Sequence, residues 1–150
     1  MMAKVRKSIL AGSWYPGDPS ELRRDILRYI NNAPDRDIDG DIKGLVVPHA
    51  GYIYSGQVAA HAYRLIKNKK YDSVILIGPS HRVAFNGVSV YSQGAYETPL
   101  GQVPVDESLA ARMMHMNTML SDIPSAHANE HSLEIQLPFL QVVLGNFSMV

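Results

Sequence analysis

Cysteine is absent from this 150-residue sequence, and its absence excludes disulfides, thiol nucleophiles and every metal site built on thiolates. Net charge is absent too, because fourteen basic residues balance fourteen acidic ones and the sequence pI is near 7.0. A neutral chain lacks the basic footprint typical of proteins that bind nucleic acid or anionic membranes. The sequence therefore predicts a small molecule or a peptide as ligand, with neither nucleic acid nor membrane as partner.

Long apolar runs are missing as well. No stretch approaches the roughly 20 apolar residues that a membrane helix needs. The apolar stretch 8–12, which follows Lys4, Arg6 and Lys7, is too short for a secretory signal. The composition, 46% apolar and 19% charged, is typical of a soluble globular protein. We therefore expect one cytoplasmic domain over residues 1–150.

Residues 44–81 carry the pattern around which the rest of the chain is organised. Two apolar runs, 45–47 and 74–77, are each followed by a break at Gly or Pro. The segment between them has helical periodicity, with Ser55 as its expected N-cap. This pattern predicts a βαβ unit with two buried, parallel and neighbouring strands. The carboxyl ends of such strands meet at one edge of the sheet, where α/β proteins bind their ligands.

The other segments predict further helices and strands. Asp18 and Asp106 are each expected to cap a helix, and Pro138 is expected to break the last helix. Residues 96–105 predict an irregular hairpin, and a strand is expected to open near residue 147. The expected fold class is α/β, with a βαβ-based, mainly parallel or mixed sheet and flanking helices.

His49 and His81 follow the two apolar runs at equivalent positions. Because neighbouring parallel strands lie about 4.8 Å apart, both side chains are expected to reach one common point. Two imidazoles there could hold a borderline metal ion that keeps open positions for a substrate or dioxygen. The alternative is that each histidine hydrogen-bonds the backbone of its own loop.

His131 and Glu134 are three residues apart and so share one face of an expected helix. They are candidates for a third metal ligand, a general base or a group that orients an imidazole. The alternative is a solvated helix start, where the macrodipole favours Glu. His61 and His115 lie within other expected helices and are expected to be ordinary surface or packing residues.

Residues 127–131 also match the zinc-peptidase pattern H-x-x-E-H. That pattern needs one continuous helix through both histidines. Here Asn129 and the preceding Pro124 and Ser125 resemble a helix cap, which places His127 before the helix. A zinc metallopeptidase is therefore a remote alternative, and motifs for nucleotide binding or serine hydrolysis do not occur.

Four motifs, in order across nearly the whole chain, resemble the Memo family. They are AGSWYP at 11–16, VPHAGY at 47–52 with SG at 55–56, IGPSH at 77–81, and NEHSLE at 129–134 with LP at 137–138. The resemblance implies the fold of class III extradiol ring-cleavage dioxygenases, with a phosphorylase/hydrolase-like topology. Those relatives carry a non-haem iron centre.

The resemblance also implies a set of site residues. His49 and His81 correspond to metal-binding histidines. The same pocket is expected to hold the catalytic candidates His131 and Glu134 and the pocket residues Tyr52, Tyr54 and Ser80. The implied cofactor is a divalent metal, iron by resemblance, with zinc and copper also compatible. A radical-SAM protein is implied as a partner.

The expected function is redox or dioxygenase-like chemistry on a small molecule, because the family resemblance supplies a site more firmly than a reaction. A function of another class fits the same residues. It is a non-catalytic module that uses the pocket, with Trp14, Tyr52 and Tyr54 around it, to hold a peptide or a protein.

The sequence departs from the family in length. Family members are longer, and their second half carries an Asp/His-containing strand-end motif and a cysteine near the metal. The chain therefore resembles the N-terminal portion of a Memo protein and is expected to be a fragment or a truncated version. A strand that opens near residue 147 favours a fragment, because a bare sheet edge is a liability.

Overall fold

The computed structural model describes residues 4–150 and has a mixed α/β fold. Its strands are β1 (Val5–Arg6), β2 (Ser73–Val74), β3 (Val88–Ser89), β4 (Ala95–Thr98), β5 (Gly101–Pro104), β6 (Leu120–Ser121) and β7 (Ser148–Met149). Its helices are α1 (Pro19–Asn32), α2 (Tyr52–Arg64), α3 (Glu107–Met116), α4 (Pro124–Ala128) and α5 (Leu137–Leu144), with a 3₁₀ helix (Glu134–Gln136) directly before α5. The α/β class expected from the sequence is confirmed.

Helices α1, α2 and α5 pack against one another and form much of the core. Asp18 caps α1 as expected, since its carboxylate accepts a hydrogen bond of 2.8 Å from the Glu21 N–H. The apolar positions of α1 that recur every four residues are fully buried; they are Leu22, Ile26 and Ile30. On the facing helices, the Phe139 ring of α5 stacks on Tyr63 of α2 at a centroid distance of 4.9 Å.

The described strands form three small sheets. β1 runs parallel to β4, and β4 and β5 make an antiparallel hairpin with Thr98 opposite Gly101. β2 pairs in parallel with β7, and β3 pairs in parallel with β6. The hairpin expected at 96–105 and the strand expected near 147 are therefore confirmed. Asp106 caps α3 as expected, accepting from the Leu109 N–H at 2.9 Å.

The expected pairing within the βαβ unit is wrong. Residues 45–47 form no strand ladder within residues 4–150, and Val74 belongs to β2, whose partner is β7. The runs are not fully buried either, because Val46 and Ile77 are exposed. An apolar run identifies a segment that can pair, but packing against neighbours decides whether it does so.

Helix α2 begins four residues earlier than the sequence indicates. Its N-cap is Gly51, and its first residue is Tyr52. Ser55, the expected cap, instead donates its hydroxyl hydrogen to the Ala50 carbonyl at 3.0 Å. The earlier start matters for the site, since the turn that carries His49 leads directly into the helix.

Pro138 breaks the last helix as expected. The chain turns as a 3₁₀ helix up to Gln136, and α5 then starts at Leu137, with Pro138 in its first turn. Proline is tolerated there because the first turn of a helix leaves its N–H groups unpaired in any case. The 3₁₀ turn before Pro138 therefore links residues 130–133, which include His131, directly to α5.

No helix among residues 4–150 is long and apolar enough to cross a lipid bilayer.

Gly94 allows β4 to approach the chain just before β1. Its φ is 94°, and a Cβ atom there would lie 1.8 Å from the Lys4 carbonyl oxygen. We expect Gly94→Ala to lower the free energy of unfolding by at least about 2 kcal/mol more than Gly40→Ala. Gly40 is the matched control, because its φ is 89° and a Cβ there meets nothing within 4 Å. Urea unfolding measures both, and equal losses would contradict the expectation.

Candidate metal centre

Three histidines meet at one point of the surface. His49, His81 and His131 each offer one ring nitrogen, and these nitrogens all lie within 4.8 Å of one another. The ring centroids are 5.3 Å apart for His49 and His81, 5.8 Å for His49 and His131, and 4.4 Å for His81 and His131. Imidazole nitrogens bind zinc at about 2.1 Å, so small side-chain rotations would bring all three to one ion.

Each histidine stands on a turn that the core holds in place. His49 precedes the N-terminus of α2, where the Gln136 amide donates to the Pro48 carbonyl at 3.2 Å. His81 lies in the loop after β2, and His131 lies between α4 and the 3₁₀ helix. The Ser132 hydroxyl donates to the Pro79 carbonyl at 3.0 Å. The loops of His81 and His131 are thereby joined.

Glu130 holds two of the three histidines. Its carboxylate accepts the backbone N–H of His81 at 2.6 Å and the backbone N–H groups of His131 and Ser132, each at 2.8 Å. It also contacts the His81 ring nitrogen Nδ1 at 2.9 Å. Burial opposes ionisation of Glu130, but these hydrogen bonds outweigh it and lower its pKa to about 2.

An ionised carboxylate only accepts hydrogen bonds, so Nδ1 of His81 carries the hydrogen that faces Glu130. The other ring nitrogen, Nε2, then presents a lone pair. This is the carboxylate–histidine pairing that commonly fixes the tautomer of a metal ligand. This role of Glu130 was not predicted from the sequence. Its position directly before His131 in the NEHSLE motif could have indicated it.

His131 is held in a neutral form suited to metal binding. Burial lowers the pKa of His131, and His81 and His49 lower it further, although Glu130 acts in the opposite direction. The Trp14 ring lies 4.7 Å from the His131 ring and covers one side of it. A neutral imidazole keeps a lone pair, as both a metal ligand and a general base require.

Glu134 lies in the core beside Arg6 and not in the histidine cluster, where it was expected. Its carboxylate is fully buried and is paired with the Arg6 guanidinium at 2.5 Å. The same carboxylate accepts hydrogen bonds from the hydroxyls of Ser8 and Tyr15, both at 2.7 Å, and from the backbone N–H groups of residues 9 and 10. Burial opposes its ionisation, yet these partners lower the pKa of Glu134. Glu134 lies outside the histidine cluster, and its lone pairs are occupied by the N-terminal segment.

The zinc-peptidase geometry is not formed. Helix α4 ends at Ala128, so Glu130 and His131 are not on the helix that carries His127. His127 is buried, and its ring nitrogens are 2.9 Å from the Ser89 hydroxyl and 3.0 Å from the Tyr96 hydroxyl. His127 is also outside the histidine cluster that residues 4–150 form.

The three expected pocket residues do not come together. Tyr52 is buried in the core, with its hydroxyl donating to the Ile135 carbonyl at 2.9 Å. Tyr54 is exposed on α2, and Ser80 is exposed with its hydroxyl bonded to the Val83 carbonyl. His61 and His115 are exposed on helices, as expected.

A cavity of about 550 Å³ opens beside the cluster. Its lining includes His49, Gly78, Pro79 and Ser132, and most of the rest is apolar. Cavities of a few hundred cubic ångströms are typical of small-molecule sites. The histidine cluster therefore borders a space large enough for a ligand.

The ion pair of Glu134 gives a test of its structural role. Removing one partner of a buried pair costs about 3–5 kcal/mol, so we expect Glu134→Gln to lower the free energy of unfolding by that amount at pH 7. Because folding lowers the pKa of Glu134, this stability is present above about pH 4.5 and is lost as pH falls further. The difference between wild type and variant should therefore shrink in acid.

The matched control for that test is Glu97→Gln, which removes the exposed ion pair between Glu97 and Lys7. Exposed pairs contribute about 0–1 kcal/mol. Chemical unfolding at a series of pH values measures both variants. A Glu134→Gln protein as stable at pH 7 as the Glu97→Gln protein would contradict a structural role for Glu134.

Comparison with known proteins agrees with the motifs. Residues 6–150 match the family model of the Memo-like proteins. Curated relatives include MEMO1 family proteins of Methanopyrus kandleri, 40% identical over 148 residues, and of Methanothermobacter thermautotrophicus, 39% identical over 153 residues. A MEMO1 family protein of Sulfolobus acidocaldarius is 37% identical over 158 residues.

These matches cover 93%, 97% and 97% of this chain but 52%, 55% and 56% of the respective relatives. The chain thus spans about half the length of the curated relatives that it matches. The match to the family model extends over nearly the whole chain and includes all three clustered histidines. The chain therefore belongs to the Memo family.

Proposed function

We propose that His49 and His81 bind a divalent metal ion, that His131 is its third ligand or a general base beside it, and that the site serves redox or dioxygenase-like chemistry on a small molecule. The observation that carries the proposal is the convergence of three imidazole nitrogens within 4.8 Å. Three protein ligands with positions left open are typical of catalytic rather than structural metal sites. The cavity beside His49 offers room for the substrate.

The donor set fits a borderline divalent ion. Glu130 fixes the tautomer of His81, and a lowered pKa keeps His131 neutral at pH 7. Imidazole suits zinc, copper and iron alike. Our preference for iron rests on the resemblance to the extradiol dioxygenases, whose topology we also propose for the complete fold.

A bound divalent ion would supply Lewis-acid chemistry and, if it is iron, a redox centre. The chain itself supplies the positions of the groups around it. His49 and His81 would hold the ion, and His131 would either complete the ligand set or act as a general base that accepts a proton from the substrate at its free ring nitrogen. Trp14 shields His131 from water on one side.

The place of the protein in the cell and its partner are also proposals. We place it in the cytoplasm, consistent with a composition of 46% apolar and 19% charged residues. A radical-SAM protein is the partner that the family resemblance favours.

Metal content is the direct test. We expect the anaerobically purified and iron-loaded protein to hold about one ion per chain, and we expect the His49→Ala, His81→Ala double variant to hold almost none. His61→Ala, His115→Ala is the matched control, because both histidines are exposed on helices away from the cluster. Equal metal content in all three proteins would overturn the proposal.

The single variant His131→Ala separates the two roles of that residue. If His131 is a ligand, its loss should weaken metal binding as much as His49→Ala does. If it is a general base, metal binding should persist while turnover of a substrate falls by about 10²–10⁴-fold. Calorimetric titration with the metal alone distinguishes these outcomes.

Glu130 gives an independent test of the same site. Outer carboxylates typically contribute 10–100-fold to metal affinity, so we expect Glu130→Gln to weaken binding by about that factor. The nitrogen NMR shifts of His81 should report a change of tautomer in the same variant. Glu97→Gln serves as control, since Glu97 forms an ion pair with the exposed Lys7 at the surface. Unchanged affinity together with an unchanged tautomer would remove Glu130 from the site.

A second candidate function is peptide binding without turnover. It is favoured by Ile53 and Tyr54, which are strongly exposed on the first turn of α2, four and five residues beyond His49. An exposed aromatic side chain is a common anchor for a protein ligand. Binding of a peptide ligand that survives the loss of His49 and His81 would favour this function over the metal-dependent one.

A further inference from the structure

His127 is a buried histidine that the proposed metal centre does not use. It lies between β3 and β4, with ring nitrogen Nε2 at 2.9 Å from the Ser89 hydroxyl and Nδ1 at 3.0 Å from the Tyr96 hydroxyl. The Ser89 hydroxyl also contacts the Ile123 carbonyl at 3.2 Å. Both nitrogens of the imidazole are therefore occupied, although the ring stands outside the histidine cluster.

These contacts suit a neutral imidazole. Burial raises the pKa of Tyr96, so the phenol keeps its hydrogen and donates it to Nδ1 of His127. Nε2 then carries the ring hydrogen and donates it to Ser89, whose own hydrogen goes to the Ile123 carbonyl. A second ring hydrogen, on Nδ1, would face the phenol hydrogen, and among residues 4–150 the Tyr96 hydroxyl forms no other hydrogen bond. Protonation of His127 would therefore leave a buried donor unpaired, which is costly.

The charges around His127 also oppose a second proton. Burial lowers the pKa of His127 below 6.5, and although Asp122 opposes this shift, two cations add to it. The cations approach through aromatic rings that contact His127, since each lies about 5 Å from the centroid of a tyrosine ring. The titratable and charged groups that face His127 are Lys4, Arg6, Tyr91, Tyr96 and Asp122.

The backbone of His127 is joined to the histidine cluster. The Arg6 guanidinium donates to the His127 carbonyl and to the Glu130 carbonyl, each at 2.6 Å. The Glu130 carboxylate, which faces the cluster and not His127, accepts the backbone N–H groups of His81 and His131. Helix α4 has five residues, and its N-cap forms no side-chain hydrogen bond. The buried His127 ring therefore anchors the segment 127–132 from one end.

We propose that His127 is a positioning residue of the metal centre, because its neutral imidazole holds the segment 127–132 closed and its protonation in mild acid opens that segment. An open segment exposes the ring to water, where the imidazole has its ordinary pKa of 6.5, whereas the closed segment excludes the proton. Each pH unit below 6.5 then favours the open form by up to about tenfold. The link to metal rests on the proposed function, but the opening itself is measurable without metal.

Hydrogen exchange of the metal-free protein tests the opening. The amides of His81, His131 and Ser132 are the probes, because each donates to the Glu130 carboxylate. The pKa of Glu130 is about 2, so this acceptor stays ionised above pH 5. We expect the protection factors of the three amides to fall about three- to tenfold between pH 7.5 and pH 5.5. The amides of α1 should keep their protection.

The variant His127→Gln removes the titration but still offers one donor and one acceptor to the two hydroxyls. We expect its three probe amides to keep the same protection at pH 5.5 as at pH 7.5. His61→Gln is the matched control, since His61 is exposed on α2, and its amides should lose protection as the wild type does. An equal loss in His127→Gln and wild type would overturn the proposal, because other groups would then open the segment.

A titration of the wild type needs no variant. The nitrogen NMR shifts of the His127 ring report its protonation beside the exchange measurement. We expect protection to begin to fall near pH 6.5 and the ring to gain its proton at a lower pH. A ring that gains its proton while the three amides keep their protection would contradict the proposal, and so would a ring that titrates at pH 6.5 or above.

Zinc alone connects the opening with the metal centre. If the ion leaves from the open segment, its release to a chelator should accelerate between pH 7.5 and pH 5.5 by about three- to tenfold more in the wild type than in His127→Gln. Equal acceleration in both proteins would refute a positioning role at the centre. A wild type that binds no zinc would overturn the proposed function instead, and the exchange measurements would still decide whether His127 controls the segment.

Discussion

The buried ion pair between Arg6 and Glu134 is the interaction on which the site depends. Arg6 directs one nitrogen to the Glu134 carboxylate and the other two to the carbonyls of His127 and Glu130, each at 2.6 Å. A planar guanidinium can serve three acceptors at fixed angles, and a lysine cannot. One side chain on β1 therefore fixes the backbone of residues 127–134, and with it the loop that carries His131.

Glu130 extends that chain of contacts to the histidine cluster. Its carbonyl is held by Arg6, and its carboxylate holds the backbone and ring of His81. Such a network is costly if one member lacks a partner, but among residues 4–150 every buried side-chain polar atom has one. These hydrogen bonds hold the loops of His81 and His131 in position. Loops held in this way reduce the ordering cost of any ligand that the cluster binds.

The sequence predicted local features well and long-range ones poorly. The cap at Asp18, the hairpin over 96–105 and the break at Pro138 were all predictable, because a few neighbouring residues determine each. The strand partner of residues 74–77 was not predictable, because it depends on which other strands the chain forms. The expected partner 45–47 forms no ladder within residues 4–150, and β7 takes that place. The same limit applies to Glu134. Its partner Arg6 lies 128 positions away, and no local pattern distinguishes a buried ion-pair carboxylate from a catalytic one.

The histidines converge although the expected strands do not pair, and the reason is physical. His49 and His81 were predicted to meet because they end neighbouring strands, but turns hold them in place. The Gln136 amide secures the turn before His49, and Glu130 secures the loop of His81. His49 in addition lines the cavity. The turn that carries His49, rather than a strand pairing, therefore brings its ring both to the histidine cluster and to the cavity.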